Sequence, residues 1–244
     1  MSIYSTRGIV LRTVKYGETS VIATVFTELF GLQSYLVNGV RTQGKGSRAH
    51  FFQPGSLLEL QVYHQELKHL QRIREMRWAV LYQHIFSDIT RNAVTLFMVE
   101  LLTRTLKQPE KNEVLFEFCQ SAFCWVDQAE KKLTANFPIF FSLQLLHHLG
   151  FRIQDNYSPD RPLFNPMEGN FTREGQKDST LISPEVSAGI SRFLKIRDLE
   201  GLGAVLLNQV QRREILQEIE KYYMIHMPDF TRMKTLPVLH EILS

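Results

Sequence analysis

Residues 8–40 read GIVLRTVKYGETSVIATVFTELFGLQSYLVNGV, and their rhythm decides the fold. Gly8–Lys15, Val21–Thr27 and Leu32–Val40 are short runs rich in β-branched and aromatic residues, the composition of strands. Tyr16-Gly17-Glu18 and Leu29-Phe30-Gly31 separate them, each with a glycine suited to a tight turn. The stretch therefore predicts a three-stranded meander.

The pattern continues downstream. After Pro54-Gly55, Leu58, Leu60 and Val62 alternate with Glu59, Gln61 and Tyr63, and a fifth run passes through Leu70, Arg72, Ile73 and Met76 to Trp78. Five short antiparallel strands with no long helix among them predict a small closed barrel, of which the OB-fold is the common five-stranded form; an SH3-like barrel fits the pattern too. From Asp88 the apolar period lengthens to that of helices. Val94, Phe97, Met98, Leu101 and Leu102 mark one helix, ended by Pro109, and Leu115, Phe118, Ala122, Trp125 and Ala129 mark a second. A third runs from Asn136-Phe137-Pro138 to Gly150 and is apolar nearly all round, which predicts the buried centre of a bundle. Residues 151–183 have no sustained period and read as a long irregular connection. Helices follow at Pro184–Lys195 and Gly203–Tyr223, with a short last one in MKTLPVLHEIL. The expectation is an α+β chain: an OB-fold domain over 1–79 and a mainly α-helical domain over 80–244.

Composition narrows the function classes. The chain has 244 residues, 44% hydrophobic and 22% charged, ordinary values for a protein with a substantial core. No run of about 18 uncharged apolar residues occurs and the N-terminus lacks an apolar leader, so a cytoplasmic, nucleoid-associated protein without a membrane partner is expected. Cys119 and Cys124 are the only cysteines, too few for a disulfide framework or a four-cysteine site, and read as structural thiols. The charge is uneven: residues 1–79 carry ten Lys/Arg against five acids, the remainder 18 against 20. A basic first third points to a polyanionic partner.

The segment Asn38–His50 (NGVRTQGKGSRAH) concentrates that charge, because Arg41, Lys45 and Arg48 fall in a stretch with no acid between Glu28 and Glu59. A basic, glycine-rich loop on a small barrel suits a phosphate backbone, since each cation that reaches a phosphate releases a counterion. Gly39-x4-Gly44-Lys45 also resembles a nucleotide-binding P-loop, but Gly46 occupies the place of the metal-binding hydroxyl and Pro54-Gly55 leaves no room for the helix such a loop opens. Tyr35 and Tyr63 alternate with Leu36, Leu60 and Val62, which predicts that both lie on the outer face and stack on unpaired bases; Phe51 and Phe52 read as core. Arg12 and Lys15 on the first strand, and Arg72 and Arg74 on one face of the fifth, extend the same cationic track. His147 and His148 point about 100° apart on a helix, with no carboxylate within four residues, so packing explains them better than metal or acid–base chemistry. No G-x-S-x-G, H-E-x-x-H or G-x-G-x-x-G motif is present, so no enzyme is expected.

The order Gly8-Ile9-Val10-Leu11, Tyr16-Gly17-Glu18-Thr19-Ser20, Phe26-Thr27, Gly31, Gly39-Val40-Arg41, Ser47-Arg48 and Gln53-Pro54 resembles the RecO family. Looser resemblance continues through Leu149-Gly150-Phe151, Phe164, Gly169, Phe171 and Met233-Lys234. It implies an OB-fold with a helical body, and a recombination mediator that binds and anneals single-stranded DNA and helps load recombinase onto strands coated by single-strand-binding protein. It also implies RecR and the acidic C-terminal tail of single-strand-binding protein as partners, duplex DNA as an open further ligand, no cofactor, and a DNA track at Arg41, Lys45 and Arg48. Many relatives carry four zinc-binding cysteines in the region of 151–183; this chain has none there, so no zinc is expected and Phe164 and Phe171 are left to anchor the segment. A basic barrel that binds an acidic protein segment, or a P-loop-like enzyme, are the rival readings.

Overall fold

A computed structural model describes residues 2–40, 48–173 and 180–243. Five strands, β1 (Ser2–Tyr16), β2 (Ser20–Thr27), β3 (Gly31–Val37), β4 (Leu57–His64) and β5 (Leu70–Trp78), close into a barrel in the order β1-β2-β3-β5-β4. This is the OB-fold order, with β3 and β5 parallel and the remaining pairs antiparallel. β1 closes the barrel alone: its first half pairs with β4 and its second with β2, and a bulge at Leu11 bends it between the two. A second bulge, at Arg74, interrupts the β4–β5 ladder.

By compactness the chain forms two units, 1–88 with 99–128 and 89–98 with 129–244, so α1 (Ile89–Thr105) is shared between them and α2 (Glu113–Gln128) groups with the barrel. In the first unit the barrel core is built from Val10, Val25, Leu58, Leu60, Val62 and their neighbours. Phe116 of α2 lies 5.6 Å from Phe26, centroid to centroid. Gly31 turns β2 into β3 at φ +61°, and a Cβ there would collide with the Glu110 carbonyl, so both conformation and close approach require glycine. Cys119 is buried and Cys124 half-buried, and burial raises both thiols.

The second unit packs α4 (Phe137–His148), α5 (Pro184–Leu194) and α6 (Gln209–His226) on one another, with α3 (Lys131–Thr134) before them and α7 (Thr235–Ile242) after. α4 is buried on every side, and the Tyr223 hydroxyl donates to the Ser142 carbonyl at 2.7 Å. α6 begins at Gln209 rather than Gly203, because Asn208 and Gln211 form a reciprocal capping box and 200–204 make a separate 3-10 turn.

The segment read as irregular is better ordered than its composition suggests. It carries a hairpin, β6 (Leu163–Asn165) with β7 (Asn170–Thr172), whose turn uses Gly169 at φ +63° beneath the Tyr222 hydroxyl. Asn156 acts as an extra strand residue, accepting from Phe171 N at 2.7 Å and donating to Phe171 O at 3.1 Å. Phe164 and Phe171 are buried, and Phe164 lies 5.9 Å from Tyr222. The two phenylalanines thus anchor the segment by packing.

Candidate nucleic-acid interface

Residues opposite each other on paired strands share a face, so the register lays out the barrel exterior. At one level Val14 faces Ile22, Ile22 faces Leu36, Leu36 faces Arg72, and Arg72 faces Tyr63. At the next, Arg12 faces Thr24, Thr24 faces Ser34, and Ser34 faces Leu70. Val14 and Leu70 are 44% and 39% exposed, and Arg12 and Arg72 stand open to solvent. The surface therefore interleaves apolar side chains with cations, the combination that base stacking and phosphate contact together require.

Charge pairing sorts the cations. Arg7 is consumed: it donates to Glu28 at 2.9 and 2.6 Å and to Gln120 at 2.8 Å, and it pairs with Glu117. The hydrogen bond to Glu28, working against burial, raises its guanidinium further. Arg77 pairs with Glu59, and Arg74 lies 3.6 Å from Glu75. Arg12, Lys15, Arg48 and Arg72 have no ion pair among the described residues.

The candidates from the sequence separate accordingly. Tyr63 and Arg72 face each other on the exterior, and Arg12 lies on the same exterior in the neighbouring row, three strands away. Lys15 has the inward parity of Val21 and Val37, but it sits past the core at an exposed strand end. Arg74 occupies the bulge, so Arg74 and Glu75 are both exposed and regular alternation stops there. Arg48 is exposed at the neck of the β3–β4 connection, where its N–H donates to the Val40 carbonyl at 3.1 Å. Arg41 and Lys45 lie outside the described residues. After Arg48 come a four-residue 3-10 helix, Ala49–Phe52, and then β4 at Leu57, so a P-loop helix is missing from 48–57. Phe52 is buried, and the Phe51 ring lies 4.8 Å from that of Trp78, tilted by 30°.

Tyr35 is corrected. It is 0% exposed, part of the barrel core in the inward row Ala23–Tyr35–Gln71, and burial raises its phenol well above the ordinary value. The small side chain of Ala23 opposite leaves volume for the ring, while Leu32 and Leu36 take the outer positions. Tyr35 therefore cannot stack on a base on the barrel's outer face.

Other residues escaped the sequence reading. Gln71 is buried, and its amide donates to the carbonyls of Gln65 and Lys68, both at 2.7 Å, while accepting from Gln65 N at 3.1 Å. It fixes the turn carrying Lys68 and His69. Near that turn the Phe30 and His64 rings stack at 3.8 Å, 14° apart, with Tyr4 edge-on to Phe30 at 5.3 Å. Burial lowers the His64 imidazole against the opposing pull of Glu66, which favours the neutral ring at neutral pH. No local pattern marks this pairing, because the partners stand 34 positions apart. Among the described residues no group of three or more His, Cys, Asp or Glu is placed to hold a metal, and no helix is long and apolar enough to cross a membrane.

The strand order and closure define a class, the OB-folds, whose members bind oligonucleotides or oligosaccharides on such a face. Family comparison narrows it: the model described as Recombination protein O N terminal matches residues 1–82, and Recombination protein O C terminal matches 86–235. The chain belongs to the RecO family of DNA repair proteins. It is 31% identical over 240 residues to DNA repair protein RecO of Flavobacterium johnsoniae, covering 98% of each chain. DNA repair protein RecO of Christiangramia forsetii is 30% identical, with 97% of this chain and 98% of the relative covered, and that of Bacteroides fragilis is 30% identical, with 98% and 99% covered.

Proposed function

We propose that this DNA repair protein is a non-catalytic mediator that binds single-stranded DNA across the outer face of its barrel and promotes annealing of complementary strands. The observation that carries the reading is the pair of exterior rows, which set Arg12 and Arg72 among Val14, Leu36, Leu70 and Tyr63. Arg48 at the loop neck, with Arg41 and Lys45 next to it in sequence, extends the basic track. Cations that neutralise two backbones lower their mutual repulsion, so strand pairing needs a surface and no chemical step. Phosphates and stacked rings are common to all sequences, so recognition is independent of base order. RecR and the acidic tail of single-strand-binding protein are the protein partners this role calls for, in the cytoplasm and at the nucleoid.

Fluorescence anisotropy of a labelled single strand at two salt concentrations tests this. Salt-sensitive binding is expected, weakened in Arg12→Ala/Arg72→Ala and in Arg41→Ala/Lys45→Ala/Arg48→Ala, with the slope of log K against log salt flattened by about 0.7 for each lost phosphate contact. Unchanged affinity and slope in both variants would sink the assignment.

A further inference from the structure

The exterior row that ends at Ser34 and Leu70 does not run out onto open surface. Thr24 and Ser34 form one side of a recess of about 510 Å³, lying within the barrel's own compact unit. Phe30, Leu32 and His64 supply its apolar and ring surfaces, and Lys68, Lys107 and Lys111 also line it. The volume falls in the roughly 300–1,000 Å³ range of small-molecule sites. Its lining combines a stacked ring pair with three cations.

Two of the three cations are not spent internally. Lys68 and Lys107 have no ion pair among the described residues, and Lys111 shares its charge with Glu113 at 2.6 Å. All three are exposed, so none is held by burial. Glu66, the acid among the lining residues, acts on His64. Gly31 against the Glu110 backbone fixes the chain beside Phe30, and the Gln71 amide fixes the backbone at Lys68.

We propose that this recess takes one nucleotide of the bound strand, its base against the Phe30–His64 surface and its phosphate among Lys68, Lys107 and Lys111. The proposal rests on the reading of the barrel exterior as a single-strand surface, because Thr24 and Ser34 belong to both. A strand lying along the Arg12 row turns into the recess there, adding one stacked base and one phosphate contact.

The test titrates the full chain with deoxyadenosine monophosphate, inorganic phosphate and deoxyadenosine in parallel, following the His64 ring signals by NMR. The nucleotide is expected to shift them at concentrations where phosphate alone and the nucleoside alone do not, and an unlabelled oligothymidine strand is expected to displace it. In Lys68→Ala/Lys107→Ala/Lys111→Ala the nucleotide shift disappears, and the salt slope for the strand falls by about 0.7. Phosphate acting as well as the nucleotide would reduce the recess to an anion site and overturn the proposal. So would a nucleotide displaced by an oligo-aspartate peptide but not by the strand, which makes the recess a peptide site. A strand that binds the wild-type chain and keeps its full slope in the triple variant refutes the recess alone. A strand that fails to bind at low salt refutes the exterior reading, and the proposal with it.

Discussion

β3 and β4 each carry one tyrosine beside an aliphatic residue, Leu36 and Val62, yet one tyrosine faces the core and the other faces away. In β4 Leu58 and Leu60 point inward with Val62, and Tyr63 stays half-exposed. In β3 Tyr35 is buried with Gln33 and Val37, and Leu32 and Leu36 are left half-exposed. Strand parity is all-or-none: one face goes inward as a set, so the best set wins rather than the most hydrophobic residue. For β3 the deciding partners are Ala23, which gives a large ring room, and Gln71, whose polar end is spent on the β4–β5 turn. The difference teaches that an aromatic residue on a small barrel is a binding candidate only once its cross-strand neighbours are known.

Removing each ring separates the two roles. Tyr35→Ala empties a buried site and should cost about 3–5 kcal/mol in urea unfolding. Tyr63→Ala should cost under about 1 kcal/mol while weakening single-strand binding by about 1–3 kcal/mol. Equal stability losses for the two would contradict the assigned faces.

A buried polar group on α2 extends the contrast. Asp127 accepts from the backbone N–H groups of Gln83, His84 and Ile85 at 3.0, 2.8 and 2.9 Å. Burial acts to raise its carboxyl, but those three donors and His84 outweigh it, so the group titrates below its ordinary value. A depressed folded value means that its contribution is complete above the ordinary carboxyl range and is lost as the pH falls through the folded value. Asp127→Ala should destabilise by about 2–3 kcal/mol near neutrality and shallow the acid limb of the stability profile. An acid limb of unchanged slope would mean that the three donors do not set the titration.

The smallest effect sharpens the β3 assignment. Leu36→Ser should cost under about 1 kcal/mol, whereas Leu60→Ser, inward on β4, should cost several times more. Thermal unfolding of the pair measures the asymmetry, and a reversal would return Leu36 to the core.

Much of this protein was legible in one dimension. Period-two runs separated by Gly17 and Gly31 determined the strand count, the later change of period the helices, and the crowding of apolar residues in Phe137–Leu146 the buried centre of the second unit. Arg12 and Arg72 were legible as candidates because charge on a half-buried strand must face outward. Tertiary structure alone decided which face of β3 is inward, that Arg7 and Arg77 are consumed by carboxylates, and that Asn156 and Phe171 order the segment after Gly150. It alone brought Lys107 and Lys111 to Phe30 and His64. The physical reason is the same each time: periodicity reports an element's own preference, whereas volume complementarity, ion pairing and convergence depend on partners tens of positions away, which no local pattern encodes.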